Sequence, residues 1–454
     1  MGISFLCFSY IATFADNNID SLKSELIKAQ GKEKIEILHK LTREYWSIDP
    51  EEAMKYAGIA YESSLASNDS TNMALALKNT GIIYYFTGEN KLALNYYEKA
   101  LKIFTMRSDK KGISSCVNNM GIIYKDLGNY EKALESYQKS TEIDYQLKDE
   151  EALASTLGNI GEIYHLQGLY DKAISYYKNS LALEIKYKNY DGIGESFMNI
   201  GAVYQENDSY NESMENYNYA LVIFKKTGNM NRLALTCHNL GQLYYSLKDY
   251  YKSFIYANWS YKLSQELDNK QGLAASANLL AIVYEATGDE ELANDYLFKA
   301  IILDLELGNK KKISRALSNK GNMLMKAEEY EQAVSFFLNS IEFARDISAW
   351  PELIDDYKYL SEAYFQLKDT TLGLYYDDLY RILADSMKSE AKGIAVSDTK
   401  NNDTSLSKII SDKSKAAEKV CSSKTAYYII FSSAFVIFLI VFIFLLTQKR
   451  GRST

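Results

Sequence analysis

Asparagines recur in this chain at one fixed interval. Asn79, Asn119, Asn159, Asn199 and Asn239 stand 40 residues apart, and Asn319 keeps the same register. A primary amide carries N–H donors and a carbonyl acceptor together. A row of amides at constant pitch can therefore hold the backbone of an extended peptide whatever its sequence. Side chains beside the row would set specificity. These are Lys78, Asn118, Met198 and His238 one place earlier, and Tyr85, Lys125, His165, Gln205 and Tyr245 six places later. They are mixed in charge and rich in flat side chains. A second role for the amides is structural, with each one bonded to a neighbouring helix end. The expected partner is a protein or peptide.

Other chemistry finds no support. The three histidines, His39, His165 and His238, are scattered, and none has a Cys, Asp or His at metal-ligand spacing. Cys116 and Cys237 lie too far apart in a stacked array to pair, and with Cys7 and Cys421 they form no disulfide or metal framework. Glycine-rich phosphate loops are absent. The carboxylates fall on exposed helix faces, where they are solvated surface groups. No catalytic residue, metal or cofactor is expected, and the chain does not read as an enzyme. A formal charge of −8 and a pI near 5.3 leave no basic footprint for nucleic acid.

The elements that must carry the asparagines repeat with them. Residues 119–140, NMGIIYKDLGNYEKALESYQKS, hold Gly121, Tyr124, Gly128, Tyr130, Ala133, Tyr137 and Ser140. Forty residues on, the same landmarks return as Gly161, Tyr164, Gly168, Tyr170, Ala173, Tyr177 and Ser180. The register continues through Gly201, Gly241, Ala281, Gly321 and Ser361 without insertion. An unbroken period of this length means stacked repeats, each burying its apolar face on its neighbours. In the repeat around Gly161 the spacing predicts helix A over residues 151–166 and helix B over residues 170–187. Only two prolines, Pro50 and Pro351, occur in the whole chain.

The pattern of Gly, Tyr three later, Ala twelve later, an aromatic sixteen later and Ala or Ser nineteen later resembles the tetratricopeptide repeat. The resemblance implies an all-α, right-handed α-α superhelical solenoid of helix pairs, about nine units over residues 19–384. It departs from the family in its period of 40 rather than the commoner 34, and in lacking the proline that ends helix B. It is similar to the longer-unit subclass of kinesin light chains and bacterial sensor proteins. In that family helix A lines the inside of the superhelix. The resemblance thus implies that the asparagines line a concave groove and hold peptide there. The lysine–asparagine–arginine clamp by which some relatives grip an acidic C-terminus is not reproduced, because Ile82 stands at its second position.

The flanks complete the expected layout. Residues 1–15 read as a signal peptide that lacks a basic start. Residues 385–426 read as a flexible, solvated spacer. Residues 427–446 run without a charge, long enough for a transmembrane helix across a lipid bilayer, and 447–454 form a short basic tail. This predicts a single-pass membrane protein with repeats on the periplasmic side and a cytoplasmic tail. The whole resembles the membrane-anchored repeat region of bacterial tetratricopeptide sensor proteins. The expected function is a membrane-anchored interaction module, the input part of a signalling system. The alternative is an assembly scaffold for envelope or membrane complexes without a regulated ligand.

Overall fold

A computed structural model describes residues 19–46, 49–347 and 349–391. Every regular element among them is an α-helix, and the chain divides into two bodies, up to Asn229 and from Met230. The first body holds α1 (19–28), α2 (Gly31–Tyr45), α3 (Pro50–Ala66), α4 (Ser70–Phe86), α5 (Asn90–Met106) and α6 (Lys110–Asp126). It continues with α7 (Tyr130–Leu147), α8 (Glu150–Leu166), α9 (Tyr170–Tyr187), α10 (Tyr190–Glu206) and α11 (Tyr210–Thr227). The second body holds α12 (Met230–Ser246), α13 (Tyr250–Glu266), α14 (Lys270–Thr287) and α15 (Glu290–Glu306). It ends with α16 (Lys310–Lys326), α17 (Tyr330–Asp346), α18 (Trp350–Gln366) and α19 (Thr370–Ala391).

The helix ends explain the period. Asp69, Asp109, Asp149, Asn189, Asn269 and Asn309 each accept a hydrogen bond from the backbone N–H three residues on, capping a first helix of a pair. One residue before the cap the backbone is left-handed. Such residues recur at steps of 20, from Asn68, Gly88, Ser108 and Gly128 to Glu328, and again at Lys368. A left-handed residue closes a helix by offering its N–H to the last carbonyls, so no proline is needed. Two such helix-and-turn halves make one repeat.

Packing within a repeat follows the landmarks. A Cβ on Gly121 would lie 2.6 Å from the ring of Tyr137, and one on Gly161 would lie 2.9 Å from Tyr177. Glycine lets the aromatic side chain of the second helix lie against the first helix's backbone. A second aromatic layer stacks beside it: Tyr84 on Tyr96, Tyr164 on Tyr176, Tyr244 on Tyr256 and Tyr364 on Tyr376, with centroids 5.3–5.5 Å apart. In each body, consecutive first helices touch one another more than consecutive second helices do, so first helices line the inner side of each stack.

The expected fold class joined this all-α stack to a C-terminal transmembrane helix, and that addition is corrected. Among the described residues no helix is long and apolar enough to cross a membrane. The segment 427–446, the tail 447–454 and the leader 1–15 lie outside the described residues. The single-pass placement, with its exported repeats and bilayer contact, rested on those segments and finds no support in the fold. The last helix also runs on to Ala391, beyond residue 384, since neither glycine nor proline occurs between residue 384 and Gly393.

Candidate ligand-binding surface

The recurrent asparagines sit on the first helices, and several bridge one repeat to the one before. Asn79 Nδ2 lies 3.3 Å from Nδ1 of His39, and Asn159 Nδ2 donates to Asn118 Oδ1 at 3.3 Å. In the second body Asn319 Nδ2 donates to Asn278 Oδ1 at 3.4 Å. The partners are side chains, not the helix ends of the structural role weighed above. Burial separates the members. Asn79 is only 2% exposed, whereas Asn119, Asn159, Asn199, Asn239 and Asn319 are half-buried. A half-buried amide that donates one hydrogen still keeps a second hydrogen and a carbonyl for a ligand.

The residues six places on make a second line of bridges. Tyr85 donates to Asp126 Oδ2 at 2.8 Å, and Lys125 Nζ donates to Glu162 Oε2 at 2.8 Å. His165 Nε2 lies 3.0 Å from Glu206 Oε2, but without hydrogen-bond geometry. Gln205 turns the other way and accepts from Tyr217 within its own repeat at 3.0 Å. Tyr245 packs its ring on Tyr250 with centroids 5.6 Å apart. Among the earlier neighbours, Lys78 donates to Ser115 Oγ at 3.2 Å, and burial holds its ammonium below the usual lysine range. Met198 is buried. Burial also lowers His238 to about 4, and its Nδ1 has no hydrogen-bond partner among the described residues.

A polar cleft beside the amide row was not foreseen. It measures about 390 Å³ and is lined by Lys111, Ser114, Asn118, Ser140, Asp144 and Thr156, of which Asn118 bonds Asn159 of the row. At its floor Ser114 and Ser140 both donate to the Asp144 carboxylate, whose pKa burial nonetheless raises above the usual range. At its edge Lys111 pairs with Asp149 at 2.9 Å and lowers that carboxyl's pKa. The signal for it lay in the register: Asp144 occupies the position of Phe104 and Phe224 in other repeats.

The arrangement is a polar, half-buried face on the first helices of stacked helix pairs. Among the described residues no group of His, Cys, Asp and Glu could hold a metal ion. Cys116 and Cys237 are free and buried, with thiols pushed up to about 12 by burial, so they act as small core residues.

Tetratricopeptide repeat models match residues 113–184, 152–226 and 79–104. Among solved structures the chain is similar to the apo quorum sensor NprR from B. thuringiensis, at 16% identity and TM-score 0.55, covering 79% of this chain and 100% of that one. It is similar also to a Rap protein complexed with competence and sporulation factor, at 13% identity and TM-score 0.53, covering 82% and 99%. Aspartyl phosphate phosphatase F from Bacillus subtilis gives 13% identity and TM-score 0.54, covering 82% and 98%. Likeness at these identities shows the fold. No curated protein matches the chain. The resemblance is corrected accordingly: the repeat class stands, and the membrane-anchored repeat region does not. The matched models lie within the repeats and bring no anchor with them.

Proposed function

We propose that the protein is a protein- or peptide-binding module whose partner lies along the inner face of the first helices. The observation that carries this reading is the row of half-buried amides in constant register, each positioned by its helix. The row lies beside charged bridges such as Lys125–Glu162 that offer both signs of charge. Solved proteins of similar fold are named as a quorum sensor and as a complex with competence and sporulation factor, which supports a regulatory role for a bound ligand. Membrane tethering is no part of the proposal.

The test replaces Asn119, Asn159 and Asn199 together with Ala in the full chain and compares it with wild type against a displayed library of random peptides. Circular dichroism checks that the variant folds. Loss of the peptides selected by wild type supports the reading. A normally folded triple variant that still captures all of them refutes it.

A further inference from the structure

One contact between repeats is polar on both sides. At corresponding contacts Ile160 shares an apolar cluster with Leu134, Leu280 with Phe254, and Leu360 with Val334. Between the repeats of Ala281 and Gly321 these two places hold Lys320 and Asn294, and Lys320 Nζ donates to Asn294 Oδ1 at 2.6 Å. Both sides of one core contact have thus become polar together, and a cleft of about 470 Å³ opens there. Its wall includes Met323 and Leu324, and three carboxylates surround it, on Glu285, Glu290 and Glu329.

The charges in the cleft are incompletely matched. Lys326 holds Glu285 at 2.7 Å. Lys320 has no carboxylate within ion-pair distance among the described residues, and neither Glu290 nor Glu329 has a cation so placed. An ammonium carries three donors, and Asn294 takes one. Burial lowers the pKa of this lysine, although Glu329, Glu290 and Glu285 oppose the shift. A half-buried charge without a counter-ion is costly unless something supplies one. A volume of several hundred Å³ suits a small molecule.

We propose that this cleft binds a small zwitterion, a free amino acid or dipeptide, with its carboxylate on Lys320 and Asn294 and its ammonium toward Glu290 and Glu329. The site lies between the repeats of Ala281 and Gly321, with Tyr245 of the preceding repeat on its wall, and contains none of the row's asparagines.

The experiment is calorimetry on the full chain with each proteinogenic L-amino acid and with the dipeptide Ala-Leu. The best binder is then retested as its N-acetyl and carboxamide derivatives. Each cap should weaken binding about tenfold or more, the scale of one lost charge-assisted hydrogen bond. The double variant Lys320→Leu with Asn294→Leu restores the apolar pair of the other repeats. It should melt no lower than wild type and bind nothing. If it melts lower, Lys320→Met keeps the stem's volume and provides the binding comparison. Absence of binding by every probe at millimolar concentration overturns the proposal. So does equal binding by the capped forms, or unchanged binding by a folded Lys320 variant.

Discussion

Gly161 is small because Tyr177 is large, and the same bargain recurs at Gly81 with Tyr97, Gly121 with Tyr137 and Gly201 with Tyr217. One departure from glycine in this register fits the same reasoning. Ala281 is tolerated where the facing residue is Leu297, and both are buried. Replacing Gly161 with Ala should therefore destabilise by about 1–3 kcal/mol, the scale of overpacking in a dense interior. The penalty should shrink when Tyr177 is also changed to Leu. A double-mutant cycle in urea should give a coupling of about 0.5–3 kcal/mol between the two sites. Strict additivity would show that the ring does not set the size of residue 161. The residue scale also accounts for the abundance of tyrosine, since two helix positions per repeat stack or bury one.

Helices of 17 or 18 residues joined by turns with one left-handed residue account for the 40-residue unit. That backbone is strained for any residue with a Cβ, yet Lys148 and Lys188 adopt φ of 54° and 57°. Lys188→Gly should raise stability by about 0.5–1 kcal/mol, and Gly168→Ala should lower it by about 1 kcal/mol, both read from urea midpoints. A stabilising Gly168→Ala would contradict this account of the turn. These positions also mark what was legible. The helix around Gly161 was placed to within a residue, because Asp149 caps it and Gly168 ends its turn. The end of helix B before Lys188 was read from the repeat, but its left-handed backbone was not, since lysine is not a turn former. The asparagine register was legible, but its contacts with His39, Asn118 and Asn278 depend on how successive helices rotate against one another. Lys320 was missed because a lone lysine on a helix reads as surface until its register is compared with Ile160 and Leu280.

The molecule as a whole carries a formal charge of −8, yet several of its acids are buried in the stack, including Asp144, Glu184, Asp304 and Asp356. Burial raises all four, and Asp356 reaches about 7, with nearby Asp355 and Glu352 adding to the rise and the Ser318 and Ser340 hydroxyls opposing it. A raised carboxyl stabilises the folded state while protonated. For Asp356 that contribution is full below the unfolded value of 3.8 and is lost as pH climbs through about 7. His39 and His238 act in the opposite direction. Burial lowers both from 6.5 to about 4, so their contribution is present above 6.5 and is lost as pH falls toward 4. The pH profile of the wild-type chain sums these opposing slopes and cannot isolate either. Asp356→Asn does, because an amide mimics the protonated carboxyl and can still accept from Ser340. The variant should match wild type near pH 4 and exceed it by a few kcal/mol at pH 8. Urea unfolding across that range measures the difference directly, and parallel curves for the two proteins would mean that the Asp356 carboxyl titrates normally despite its burial.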